Sequence, residues 1–392
     1  MRLISRIALL SVCAFTGASP SFAQETGNGA DDASGIDWSV GLRGSYTSNS
    51  VTGGKAALIV APEASLAFGG QSSRTKLSIG SELVVDSGGQ ARISDLHAGA
   101  AGSFDFDANT NLEGSITGSV TQADPDGSKL PVNTLYAPLV IQGDATGSAS
   151  RQFGHIVLKG TLAGRRYIAG PTTLDDLSII DNSADSYWQG GGTLRLSYEL
   201  TPLLAGFIEG QASLQKFDAP SPTLLKYLDG RTYQLRGGVS YAQGSIISME
   251  ASVGRAWLDY VDPSLTDAPS WVYNASLTWR PDETLSLVGA LETGIGPSTT
   301  VAGDTDVNYA LTGSASYMVN PWLSLRSNGG WNQTVTLGTK GVSWGYQLGA
   351  GIDYRSSRHV VWSADYLFRR AYAPPAPVND THTATLSVKI QR

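Results

Sequence analysis

The chain is poor in several residue types on which function often rests. It holds one cysteine, Cys13, four histidines and three methionines in 392 residues. Charged residues make up 16 % of it, well below the quarter usual in soluble proteins. Beyond the N-terminus no stretch stays apolar for the roughly 18 residues that a membrane helix needs. At the N-terminus, Arg2 and Arg6 precede a short apolar run over 7–15, and Ser21-Phe22-Ala23 fits a small-x-small cleavage site. Residues 1–23 therefore read as an export signal, removed before Gln24. Cleavage takes Cys13 with it, which excludes disulfides, thiol catalysis and cysteine zinc sites. It also removes Arg2 and Arg6, leaving 25 basic against 34 acidic residues, so the net charge moves from −7 to −9. An acidic exported chain is a poor partner for nucleic acid. His97, His155, His359 and His382 stand singly rather than at metal-ligand spacing. Thr52-Gly53-Gly54-Lys55 lacks the spacing of a phosphate loop. Nothing in the chain calls for a cofactor.

What the chain has in abundance is alternation. From Val342 to Tyr354, Trp344, Tyr346, Leu348, Ala350 and Ile352 take every second place, with Ser343, Gly345, Gln347, Gly349, Gly351 and Asp353 between them. Period 2 is the mark of a strand with two unlike faces. After the break at Ser356-Ser357-Arg358 the pattern resumes in Val360, Trp362, Ala364, Tyr366 and Phe368. This hairpin recurs along the chain, giving about eighteen strands, with sixteen the nearest alternative. Residues 24–35 are a polar, Gly- and Asp-bearing leader, and 36–392 form one unit. Connections alternate between tight ones, such as Thr201-Pro202 and Asn320-Pro321, and longer ones, such as 124–135, 170–185 and 218–229. Short turns on one rim and long loops on the other describe an antiparallel up-and-down transmembrane β-barrel.

A large soluble sandwich or propeller would also alternate. Three features argue against it. Many strands run to about twelve residues or more, beyond the usual five or six. Aromatics recur in pairs on the apolar face: Trp38 and Tyr46, Tyr233 and Tyr241, Trp271 and Trp279, and Tyr309 and Tyr317 lie eight apart, while Trp188 and Tyr198, and Trp344 and Tyr354, lie ten apart. At about 3.3 Å per residue and a tilt near 40°, those intervals span roughly 20–25 Å, the height of a lipid band between two aromatic girdles. The opposite face carries Arg43, Lys76, Glu82, Glu113, Arg195, Glu199, Glu209, Arg236, Glu250, Arg326, Asp353, Arg355 and Asp365. Buried charges need partners, so this face is expected to be wet and to line a pore. Closure into a barrel then satisfies every backbone group in lipid.

With its export signal, its hairpin series and the turn Tyr317-Met318-Val319-Asn320-Pro321-Trp322-Leu323-Ser324-Leu325, the chain resembles the "putative β-barrel porin 2" type of Gram-negative outer-membrane protein. The resemblance covers most of the exported chain. It implies an outer-membrane location, a water-filled pore for passive diffusion of small solutes or ions, and no catalytic residues. The implied partners are outer-membrane lipid and lipopolysaccharide, the barrel-assembly machinery and further copies of the same chain. One departure is the end, Ile390-Gln391-Arg392, where such barrels usually finish on an aromatic.

Three further readings compete with a passive pore. A barrel serving exopolysaccharide export or envelope assembly would look alike in its strands, but such systems often recruit periplasmic helical repeats, and none is present. An enzyme could use His97 with Asp95, two residues apart and so on one face, since a His–carboxylate pair can activate water. An energised receptor would need a folded plug, for which the leader is too short. For a constriction, the third long loop, 124–135, with Asp124, Asp126 and Lys129, is the candidate, set against an ordinary surface loop.

Overall fold

The computed structural model describes residues 35–50, 53–123, 130, 133–298, 304–339, 341–374 and 378–392. The proposed signal segment, most of the leader, and Asp124, Asp126 and Lys129 lie outside the described residues. Twenty-one strands follow one another: β1 (Gly35–Asn49), β2 (Gly53–Gly69), β3 (Ser73–Asp86), β4 (Ala91–Asp107), β5 (Thr110–Gln122), β6 (Thr134–Tyr136), β7 (Leu139–Phe153), β8 (Ile156–Ala169), β9 (Thr172–Leu174), β10 (Ile179–Ile180), β11 (Tyr187–Thr201), β12 (Leu204–Phe217), β13 (Gly230–Gln243), β14 (Ile247–Tyr260), β15 (Ala268–Trp279), β16 (Leu285–Pro297), β17 (Thr305–Asn320), β18 (Leu323–Thr336), β19 (Val342–Arg355), β20 (Val360–Tyr372) and β21 (Asn379–Gln391). Eighteen of them pair antiparallel with their chain neighbours, and β1 pairs with β21. The sheet is thus a closed barrel with no free edge, as the alternation required. The remaining three, β6, β9 and β10, form a small sheet joining the 123–138 and 170–186 connections. The only helical turn among the described residues is a 3₁₀ turn at Ser183–Asp185.

The tight rim is built by turn chemistry. Thr201 Oγ1 accepts from the backbone N–H groups of Leu203 and Leu204, at 3.3 and 3.0 Å. Asp282 accepts from Thr284 and Leu285, at 2.8 and 2.9 Å, and Asn320 from Trp322 at 3.1 Å. Short polar side chains that mimic the backbone two residues on are what fix such turns. Gly154 and Gly244 supply left-handed corners, with φ of 60° and 55°.

Register assigns the two faces. Trp38 stands opposite Ala64, Leu42 opposite Val60 and Tyr46 opposite Ala56, so the apolar rows run around one side of the wall. Arg195 of β11 reaches Glu250 of β14, although β12 and β13 lie between. Side chains three strands apart meet only on the concave face, so the charged side is the inside.

One seam departs from the regular wall. β15 pairs with β16 only where Ala275–Trp279 faces Leu287–Leu291. Beyond it the end of β16 leans inward and touches β13 and β14 as well. Thr293 takes over from the lost ladder: its hydroxyl accepts from Tyr273 N–H at 3.1 Å and donates to Tyr273 O at 2.9 Å. Pro297 comes against Gly230, and Val272 and Val307 are fully buried in the overlap.

Candidate functional site in the barrel lumen

Alternation sends Arg43, Lys76, Glu82, Glu113, Arg195, Glu199, Glu209, Arg236, Glu250, Arg326, Asp353, Arg355 and Asp365 to the inner face, and the fold gathers most of them into groups. The tightest joins four neighbouring strands. Arg195 donates through both guanidinium ends to Glu250, at 2.9 and 2.7 Å. Arg236 donates to Glu209 at 3.0 Å through Nε. Arg195 also lies 3.8 Å from Glu209, which links the two pairs into a quartet. Its guanidinium stacks 3.6 Å above the Phe207 ring. That ring explains Gly238 on the next strand: a Cβ there would sit 2.5 Å from Phe207 Cζ and 2.4 Å from Ala251 O. The glycine makes room for an aromatic.

A second group forms where β18, β19 and β20 meet. Arg326 forks to Asp353 at 2.6 Å and Asp365 at 3.0 Å, and Ser363 donates to Asp353 at 2.6 Å. Arg43 pairs with Glu82 at 2.6 Å, and Lys389 with Glu63 at 3.4 Å. Glu113 lies 3.6 Å from Lys159, while Arg165 reaches Asp144 at 2.5 Å. Glu199 sits at the tight-turn rim and accepts from Gln152 at 3.2 Å. Lys76 and Arg355 stay outside every group and carry no ion pair among the described residues. Both signs therefore line the wall, and most of these charges stand in close pairs.

The aromatics Trp38, Tyr46, Trp188, Tyr198, Tyr233, Tyr241, Trp271, Trp279, Tyr309, Tyr317, Trp344 and Tyr354 take the outward positions of their strands. Most are well exposed on the wall, Trp188 at 59 % and Trp271 at 53 %. Tyr241, Tyr309 and Trp344 are half-buried. Tyr309 pairs with Thr293, where β16 begins to lean inward.

The long-loop end of the lumen differs from what a polar inner face predicts. There the inward positions of β8, β11, β12 and β14 turn apolar: Tyr167, Ala169, Tyr187, Phe217, Leu258 and Tyr260 pack together, joined by Leu228 from the 218–229 connection. Leu265, from the 261–267 connection, and Ile295 of β16 pack against them. Tyr187 is 3 % exposed; its ring stacks on Tyr167 at 5.3 Å and meets Phe217 at 5.7 Å. Tyr260 donates its hydroxyl to Asp304 O at 2.6 Å, just ahead of β17. Burying an aromatic of this size is worth about 1.5–3 kcal/mol, so the cluster holds the 218–229 and 261–267 connections over the mouth. The signal was present in the sequence. Tyr187 beside Trp188 and Leu258 beside Trp257 each break the alternation, as apolar residues on the polar parity.

Asp185 lies under this rim, in the 3₁₀ turn, and burial pushes its carboxyl up to about 6. Asp218 behaves oppositely, because the Arg166 guanidinium beside it holds its carboxyl below the ordinary carboxylate value. His97 Nδ1 and Asp95 Oδ2 are 2.5 Å apart on the inner face of β4. Among the described residues no hydroxyl or further catalytic group bonds that imidazole, and no group of His, Asp and Glu suits a metal ion.

Solved structures that match the chain include OccK5 (OpdH) of Pseudomonas aeruginosa, at 12 % identity and a TM-score of 0.44, the match covering 91 % of this chain and 98 % of that one. OpdK of the same organism, solved with vanillate, matches at 10 % identity and a TM-score of 0.42 over 91 % and 99 %. A loop-deletion form of the Vibrio cholerae outer-membrane protein OmpT matches at 12 % and 0.34 over 92 % and 100 %. No curated protein matches the chain. The model of one family, described as "Putative beta-barrel porin 2", spans residues 38–392. With the closed 18-strand wall already established, the chain belongs to that outer-membrane β-barrel porin family.

Proposed function

We propose that the barrel is a water-filled pore for passive diffusion of small solutes or ions across the outer membrane, and that it performs no catalysis. The observation that carries this reading is the charged, mutually paired inner wall inside a closed barrel. Eighteen strands about 4.8 Å apart and tilted near 40° give a backbone diameter of roughly 35 Å. Side chains do not fill that width, and ion pairs such as Arg326 with Asp353 and Asp365 are half exposed to it. Pairs of this kind cost little where water reaches them and much where it does not.

Selectivity in such a pore is set by charge and width at its narrowest point. The compensated charges of the inner wall favour weak ion selectivity. The apolar cluster at the mouth favours a size limit set on that side by aromatic rings. Residues 1–23 serve as the export signal in this reading, and the outward aromatics anchor the wall at the two lipid interfaces. Purified protein in planar bilayers provides the test. Stepwise conductance with a reversal potential near zero in a salt gradient is expected; a membrane that never shows steps refutes the pore.

A further inference from the structure

The outward positions of the eighteen wall strands are almost free of charge. They carry Arg151 at the tight-turn rim, and otherwise only Arg166, Lys216, Arg231, Arg255, Asp259, Arg370 and Asp380, all toward the long-loop end. Arg370 is spoken for, since it forks to Asp380 at 2.6 and 2.6 Å. The other four cations fall on the consecutive wall strands β8, β12, β13 and β14, with only β11 between the first two. Lys216 stands directly opposite Trp188, which stands opposite Arg166. Arg231 faces Leu214 on one side and Asp259 on the other. Arg255 lies between Leu235 and Trp271.

Arg166 is bound to Asp218 and packs 5.0 Å over Trp188. Lys216, Arg231 and Arg255 carry no ion pair among the described residues. Arg255 rests 5.2 Å over Trp271, a contact that fixes the guanidinium without neutralising it. At the height of the aromatics Trp188, Tyr233, Trp257 and Trp271, four wall cations thus share one sector with a single wall acid, Asp259, while Asp218 of the adjoining connection is taken by Arg166. The rest of the long-loop girdle offers one cation, already paired.

Below them the wall is hollow. Glycine and alanine at mid-height, Gly192, Gly210 and Ala212, lie between the leucines Leu162, Leu194 and Leu235, leaving an apolar depression of about 1000 Å³ that reaches up to Tyr233 and Trp257. Cations above an apolar trough match one kind of molecule in chemistry and in height: a lipid with phosphates at the interface and acyl chains beneath. The long loops of such barrels face outward, so the leaflet concerned is the outer one. We propose that the β8–β14 sector binds a phosphorylated lipid of the outer leaflet, the lipid A part of lipopolysaccharide. Lys216, Arg231 and Arg255 engage the phosphates, and the acyl chains lie in the hollow. The site is on the outside of the wall, so it stands or falls independently of the pore.

Native mass spectrometry of the detergent-purified full chain tests this, with lipid A bisphosphate, monophosphoryl lipid A and phosphatidylcholine as probes. Bisphosphate adducts should be the tightest and monophosphate adducts weaker. At about a factor of five per interfacial cation, the triple variant K216Q/R231Q/R255Q should lose of order a hundredfold in affinity at low salt, and less at high salt. Arg370→Gln, on the far wall, should leave binding unchanged. Heat-modifiable gel mobility checks that each variant folds. If the triple variant does not fold, Arg231→Gln alone, an exposed side chain, should still lose about fivefold. The proposal is overturned if the variants bind as the parent does or if phosphatidylcholine binds equally well. Displacement of lipid A by excess inorganic phosphate would make it a free-anion site, and dimers in place of lipid adducts would make it an interface between copies.

Discussion

Tyr187→Ala separates the contribution of the mouth to stability from its contribution to conduction. The Tyr187 ring is 3 % exposed and lies between Tyr167 and Phe217, with centroids 5.3 and 5.7 Å away. Truncating a buried aromatic to alanine costs about 3–5 kcal/mol, the higher values where the surroundings do not collapse. The two ring contacts, each worth about 0.5–1.5 kcal/mol beyond burial, place this site toward the upper part of that range. The wall does not depend on this ring, because β11 keeps its ladders to β8 and β12 from end to end. The loss therefore falls on the docking of the mouth. A cost of about 3 kcal/mol shifts its open-to-closed ratio by roughly two orders of magnitude. In planar bilayers the variant should show larger and noisier steps than the parent, with the same reversal potential, since no charge changes. Amide exchange should quicken in the 218–229 and 261–267 connections and stay slow in β11 and β12. An unchanged step size with a lowered melting temperature would refute the claim that this cluster narrows the path.

Other outcomes follow from the same geometry. Arg195→Gln removes both bonds to Glu250 and the stacking on Phe207; it should cost about 2–4 kcal/mol by thermal unfolding and shift the reversal potential toward cations. Arg326→Gln disrupts a pair of which the arginine side chain is 45 % exposed, so its stability cost should stay near 1 kcal/mol while the shift toward cations is similar. Gly238→Val places branched carbons where Phe207 lies, and refolding yield into detergent should drop sharply, whereas Gly210→Val, with open space around it, should refold normally. For Asp185 the sign is set by burial. The unfolded chain releases this proton near 3.8 and the folded one near 6, so between those values the folded state holds a proton that the unfolded state has lost. Protection of the 183–187 backbone against exchange should be highest at acid pH, decline as pH rises through about 6 and then level off. Asp185→Asn should abolish that dependence.

Much of the fold was legible because a lipid-facing strand obeys a strict rule. Period 2 in 342–354 forces one face to be apolar and the other polar. Strand number, closure and the alternation of short and long connections followed from repeating that rule. The resemblance to the β-barrel porins rested on the same pattern. Long-range partners did not follow. That Arg195 would meet Glu250 depends on which four strands lie side by side and on the concavity that lets side chains cross over β12 and β13. The reason for Gly238 likewise lies across the ladder, in the Phe207 ring.

Alternation in the sequence determined, by itself, that this chain is a closed outer-membrane wall with its charges inside. The tertiary structure decided what stands in the opening and what gathers outside it. Tyr167, Tyr187, Phe217 and Tyr260 are far apart in the chain and violate the pattern one at a time, so none looks like part of a cluster until the barrel places them side by side. Lys216, Arg231 and Arg255 look like isolated lapses of an apolar face until register brings them to one height on neighbouring strands. The physical reason is common to both. Periodicity is a local property of a strand, whereas register between strands, and the overlap at the β15–β16 seam, arise only when the sheet closes.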